Sequence, residues 1–207
     1  LASESDSIVN KSLDEFEYHT DIARWMGYGQ TWHDHGFKIN VHISGRRGPA
    51  GIISILDALS PEARNLITIE NEENSHGLDS TLELEKHVAL VLDIHHHFIK
   101  TGEYIQPDDD RVKRVADSWR SVRPTMHYSL SREDYLVDHS IEILPDMNTL
   151  LESGYKKQKL RAHSDMMWNR VANTWALSFL PQFDIMVEAK NKNLASLALY
   201  EQYKLTN

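Results

Sequence analysis

Apolar residues recur at helical spacing through Leu13, Phe16, Ile22, Ala23 and Met26, and Gly27 with Gly29 ends the run, so residues 12–26 predict a helix. A short β-branched run at 37–43 (FKINVHI) stops at SGRRGP, whose glycines and proline mark a loop and the entry to a helix over 50–59. The strand–loop–helix unit then repeats. LITIEN (66–71) precedes a polar loop and a helix reaching His87, and VALVLDIHHH (88–97) precedes a loop and a helix over 109–119. Two further strand candidates are PTMHYS (124–129) and FDIMVEAK (183–190), the second leading into a last helix over 193–203. A long helical segment with Trp168 and Trp175 is expected between them.

Repetition of this unit predicts an α/β fold with a parallel sheet, and strands that stay apolar up to a polar tip suit strands covered by helices. In barrels of this class the active site lies at the carboxyl ends of the strands. A closed (β/α)8 TIM barrel needs eight strands and about 250 residues. The five strands counted here therefore predict a single domain over 1–207 that is an incomplete barrel, and a start at Leu1 is read as a sign that something precedes it.

Composition narrows the function. Asp and Glu number 31 against 22 for Lys and Arg, a formal charge of −9, which argues against a simple basic patch on nucleic acid unless bound metal reverses the local field. With no cysteine, disulfide scaffolds, thiol nucleophiles and sulfur-bound zinc are excluded, and a cytoplasmic compartment is expected. No apolar stretch approaches the ~20 residues of a membrane span, and LASESDSIVN is not a charged leader followed by an apolar run. Twelve histidines in an acidic chain direct attention to divalent cations, because imidazole and carboxylate are the ligands such ions take.

The polar residues fall at the strand ends: His42, then Glu70, then Asp93 with His96, then His127, then Glu188, with His163 in the late helical region. Ends of parallel strands converge on one rim, so residues far apart in sequence can meet there. Carboxylates can bridge two cations while imidazoles cap them, and ions about 3.5–4 Å apart clamp the attacking and leaving oxygens of a phosphodiester displacement. Mixed oxygen and nitrogen ligands fit manganese or zinc, with magnesium possible.

Each residue has an ordinary reading as well. His19, His76, His87 and His139 are expected to be surface or hydrogen-bonded histidines, and His33 with His35 in TWHDHG to lie in a polar turn. If His95, His96 and His97 end a strand, alternation sends neighbours to opposite sides, so only one or two can face a common site. Glu70 or Glu188 alone could pair with a lysine. Arg46 and Arg47 could grip a phosphate beside a helix start or simply form a solvated turn. Trp25, Trp32, Trp119, Trp168 and Trp175 are read as packing residues rather than base-stacking platforms.

Together, INVHISGRRG, TIENEENSHG, LVLDIHHH, RPTMHYS, LRAHSD and MVEAKNK resemble the successive strand-end motifs of the ultraviolet damage endonucleases, over nearly the whole chain. These DNA repair enzymes are similar in fold to endonuclease IV and xylose isomerase, with a barrel that holds up to three divalent metals, commonly manganese. Carried over motif by motif, the resemblance implies metal ligands at His42, Glu70, Asp93, His96, His127, His163 and Glu188. Glu70 and Glu188 would share metals, Asp93 and His127 would complete the central site, His42 would hold one outer ion, and His96 with His163 the other. Glu70, Glu188 and His127 are the implied catalytic residues, and Arg46 and Arg47 the candidate DNA contacts. The activity implied is incision of damaged double-stranded DNA immediately 5′ to a lesion such as a pyrimidine dimer, leaving a 3′-hydroxyl.

The sequence departs from the family pattern in two ways. The family begins with three more strands, carrying a further histidine ligand and the glutamine–tyrosine pair that probes the DNA, and Thr125 stands where a lysine usually precedes the strand histidine by two positions. The chain thus reads as the carboxyl-terminal two-thirds of such a barrel. Two other readings compete: a metal-dependent sugar isomerase or epimerase on the same barrel type, and a non-catalytic remnant that keeps affinity without turnover. Glu70→Gln is expected to remove metal with little loss of fold, on the premise that Glu70 sits at the rim and outside the core. The sequence leaves the oligomeric state undetermined.

Overall fold

A computed structural model of the chain describes residues 1–32 and 36–206. His33 and His35, and the polar turn expected of them, lie outside the described residues. Strands alternate with helices in the order α1 (Asp6–Trp25), β1 (Ile39–His42), α2 (Gly48–Ile55), α3 (Pro61–Leu66), β2 (Ile67–Glu70), α4 (Leu78–Thr81), β3 (Ala89–Asp93), α5 (Ile94–Thr101) and α6 (Asp110–Ser118). Then follow β4 (Thr125–Tyr128), α7 (Met147–Glu152), α8 (Lys157–Leu160), α9 (Arg170–Leu177), β5 (Asp184–Val187) and α10 (Asn193–Thr206). The five strand positions read from β-branched and apolar runs are those observed among the described residues.

The chain divides into two compact units, one of Leu1–Leu92 with Asp108–Pro124 and the other of Asp93–Pro107 with Thr125–Asn207. In the first, β1, β2 and β3 form a parallel ladder in sequence order, with Val41 opposite Ile69 and Ile69 opposite Leu90. Every residue of β2 and β3 is buried, the environment that explains their unbroken apolar runs. Trp119 closes this core: its ring packs with Trp32, Ala89 and Val91, and its Nε1 donates to the Leu90 carbonyl at 2.6 Å. In the second unit β4 and β5 pair in parallel, with Met126 opposite Ile185. Its helices enclose Phe98, Ile99, Leu136, Met147, Leu150 and Leu160.

Helix starts follow side-chain capping. Ser60, Asp109, Asp146 and Asn169 each accept from a backbone N–H of the first turn of α3, α6, α7 and α9. The expected helix boundaries of 109–119 and 193–203 fall within a few residues of α6 and α10.

Four expectations are corrected. His95, His96 and His97 do not end a strand, because Asp93 caps the next helix at once and all three lie in the first turns of α5, spaced by about 100° rather than alternating. The long helical segment before β5 is three short helices, α7, α8 and α9, each begun at its own cap or loop. The helix expected to reach His87 is only α4 followed by a 3-10 turn, Leu82–Leu84. Trp25 does not pack: it is 80% exposed, because α1 buries Val9, Phe16, Thr20 and Ala23, and a residue two positions past Ala23 faces away from that stripe.

Candidate metal centre

Strand register places the first pair of candidate ligands. His42 and Glu70 are opposite one another at the ends of β1 and β2 in the first unit, and the His42 Nε2 lies 3.3 Å from the Glu70 Oε2. Asn40, two residues before His42 and so on the same face of β1, donates its amide N–H to that Glu70 oxygen. Thr68 fixes the sense of the amide, since its hydroxyl donates to the Asn40 Oδ1 at 3.0 Å and leaves the NH2 turned to Glu70. Glu70 is only 1% exposed, so the premise that it stands outside the core is corrected: the four-residue β2 is buried to its last side chain.

The loop after β2 is built on another buried acid. The Glu72 carboxylate accepts backbone N–H groups from Ser75 and His76, and these bonds hold it below the usual carboxylate range against the opposing effect of burial. His76 in turn bonds the Gly45 carbonyl at 2.9 Å, joining the loops that follow β1 and β2. Arg46 and Arg47 lie in the first of these loops. Arg46 is 85% exposed at the side chain and 3.4 Å from Glu4, and Arg47 reaches Asp6 at 3.2 Å.

The second unit gathers five of the seven candidate ligands. Asp93 both ends β3 and caps α5: it accepts the His96 N–H at 2.7 Å while its other oxygen lies 3.5 Å from the His96 Nδ1. A carboxylate oxygen of Asp93 and a ring nitrogen of His127 fall within 4.8 Å of each other. His127 and Glu188 are brought together by the β4–β5 register, the Glu188 N–H continuing the ladder to the Tyr128 carbonyl at 2.9 Å. The His127 Nδ1 is 3.1 Å from the Glu188 Oε1, and the His163 Nδ1 is 3.9 Å from the Glu188 Oε2. His163 is held by an antiparallel bridge to Ser131.

Two carboxylates and three imidazoles without sulfur form a donor set that fits a hard or borderline divalent ion and would not fit a soft one. Their negative charges would offset a cation taken from water. Each glutamate carboxylate faces histidine: Glu70 faces His42, and Glu188 faces His127 and His163. Among the other histidines, His19 and His139 bond local backbone carbonyls and His87 is exposed. His95 is buried between Ser129 and Ser131, and burial, with the neighbouring His163 and His96 adding to it, holds its pKa well below the usual imidazole range.

Sequence reasoning missed Asn40, Thr68 and His95. The first two had a signal available, because period-2 alternation sets Asn40 beside His42 and Thr68 beside Glu70; nothing in the sequence pairs His95 with two distant serines.

The family model described as UV-endonuclease UvdE matches residues 1–207. Among curated proteins, the UV-damage endonuclease of Schizosaccharomyces pombe is 25% identical over 100% of this chain and 32% of its own length. The UV DNA damage endonuclease of Bacillus cereus (strain G9842) is 21% identical over 98% of this chain and 58% of its own. The chain thus spans from about a third to under three-fifths of the length of these relatives. The crystal structure of SacUVDE superposes with a TM-score of 0.70 at 23% identity, covering 99% of this chain and 62% of that one, a likeness that establishes the shared TIM-barrel-like α/β fold. Five strands among the described residues are fewer than the eight of a closed barrel, in keeping with the incomplete barrel expected.

Proposed function

This chain belongs to the UV-endonuclease family, and from that premise we propose that it serves a divalent-cation-dependent endonuclease acting on damaged double-stranded DNA, cutting the phosphodiester 5′ to ultraviolet photoproducts. One observation carries the reading: Glu188 is flanked by His127 and His163 within one unit, while the Asp93 carboxylate has an oxygen within 4.8 Å of a His127 ring nitrogen and one 3.5 Å from the His96 Nδ1. This supports divalent cations as the cofactor; manganese, with zinc or magnesium as alternatives, and up to three ions in all are proposed from the family resemblance. His42 and Glu70 are proposed as the remaining ligands.

Cations held by these residues would supply electrostatic stabilisation to the attacking and leaving oxygens of the phosphodiester. Glu70 and Glu188 provide the negative charge that makes binding of such ions favourable, and His127, in contact with Glu188, orients that carboxylate. Asp93 fixes the first turn of α5 and so the position of His96. Arg46 and Arg47 are proposed as weak phosphate contacts, since the pairs they now make with Glu4 and Asp6 are exposed and readily exchanged for a DNA phosphate.

The test is incubation of the chain with Mn2+ and an ultraviolet-irradiated duplex, beside the same duplex unirradiated. Cation-dependent nicking or binding confined to the irradiated duplex is the expected result. Equal affinity for both duplexes, together with no Mn2+ uptake, would overturn the proposal.

A further inference from the structure

His95 is a buried histidine to which the proposed chemistry assigns no part. Its role follows from counting protons. Ser131 has one hydroxyl hydrogen and its Oγ lies 2.5 Å from the Leu160 carbonyl, which can only accept. The Ser131 oxygen is therefore an acceptor toward the His95 Nε2 at 3.3 Å, and that nitrogen carries a proton. On the other side of the ring the Ser129 Oγ lies 2.8 Å from the Nδ1. Both ring nitrogens are thus engaged, one at Ser129 and the other at Ser131, with the Leu160 backbone also bonding the ring, and neither is available to a cation.

The two serines sit on the segment that matters. Ser129 follows His127 by two residues at the end of β4, while Ser131 forms the antiparallel bridge to His163. His95 itself immediately precedes His96 in the first turn of α5, and its ring meets the His163 ring edge-on with centroids 6.1 Å apart. One buried ring therefore ties together the start of α5, the end of β4 and the His163 turn, each of which carries a candidate ligand.

We propose that His95 is a positioning residue, a strut bonded at both nitrogens that sets the spacing of His96 and His163 without ligating a cation itself. The inference rests on the cation-binding reading above. Residues that orient metal ligands from behind change affinity by about ten- to a hundredfold when removed.

The experiment is a Mn2+ titration of the full chain, read by the loss of the free-ion EPR signal, with folding followed by circular dichroism. His95→Phe keeps a ring in the site and removes both bonds; a loss of Mn2+ affinity of about tenfold or more with an unchanged spectrum is expected. His95→Gln places an amide N–H where the Nε2 proton stood and is expected to recover most of that affinity, whereas a residue needed only for bulk would be served better by phenylalanine. Ser131→Ala, which leaves the ring and the backbone bridge to His163 in place and removes the hydroxyl that joins the ring to the Leu160 carbonyl, is expected to weaken binding also, and it decides the matter if His95→Phe does not fold. Nitrogen-15 NMR of the cation-free protein is expected to show a proton on the His95 Nε2. Wild-type binding that survives in both His95→Phe and Ser131→Ala, or an Nε2 without a proton, overturns the inference and leaves the cation site standing; a wild-type chain that takes up no Mn2+ overturns both.

Discussion

His127 and Glu188 meet at 3.1 Å, Nδ1 to Oε1, although 61 residues separate them, because the parallel register of β4 and β5 sets the end of one strand beside the residue that leaves the other. Glu188→Gln keeps the shape of the side chain and removes its charge. The expected result is Mn2+ affinity lowered by at least about tenfold, with the circular dichroism spectrum retained. Unchanged affinity by titration would remove Glu188 from the ligand set.

Asn40 holds the Glu70 carboxylate by donating to it, and Glu70 is buried. Asn40→Asp replaces that donor with a second carboxylate at hydrogen-bond range. In the absence of divalent cations the variant is expected to lose about 1–3 kcal/mol of stability, from the lost donor and the like-charge contact. Urea unfolding measures the loss, and added Mn2+ is expected to restore part of it. A variant as stable as wild type without cations would show that Asn40 does not hold Glu70.

Lys38 gives the pH dependence of the first unit. Burial, with the Arg120 charge adding to it, lowers its pKa from 10.5 to about 8, while its ammonium donates to the Asn65 carbonyl at 2.5 Å and lies over the Trp32 ring. Between about pH 8 and pH 10.5 the unfolded chain retains a proton that the folded chain has released, so this group makes stability rise with pH across that window. Below pH 8 its penalty is constant. Subtracting the melting profile of Lys38→Met from that of wild type between pH 7 and pH 10 isolates the contribution, and a flat difference would contradict it.

Gly48 begins α2 with φ +51°, and a Cβ there would lie 2.5 Å from the His76 ring. The ring cannot swing away cheaply, since it bonds the Gly45 carbonyl and the Ser80 hydroxyl. Gly48→Ala is expected to cost about 2 kcal/mol, from left-handed backbone strain and the clash together. Adding His76→Ala to it should relieve the steric part in a double-mutant cycle, while additive losses would place the whole cost in the backbone.

The sequence by itself determined the alternation of strands and helices and the kind of atoms offered at the strand ends. Both are local: β-branched runs dictate strands within a few residues, and the absence of cysteine with an excess of carboxylate and imidazole dictates the ligand chemistry. Asp93 shows the limit of local reading. Its run VLDIHHH has the composition of a strand tip, and only the capping bond to the His96 N–H turns the histidines into a helix. The spacing of His42 from Glu70 and of His127 from Glu188 was left to tertiary structure, because strand register is set by pairing across the sheet, which no window of sequence contains. The same holds for His95: its two serine partners lie 34 and 36 residues away, and a buried polar side chain takes whatever partners the packed chain brings to it.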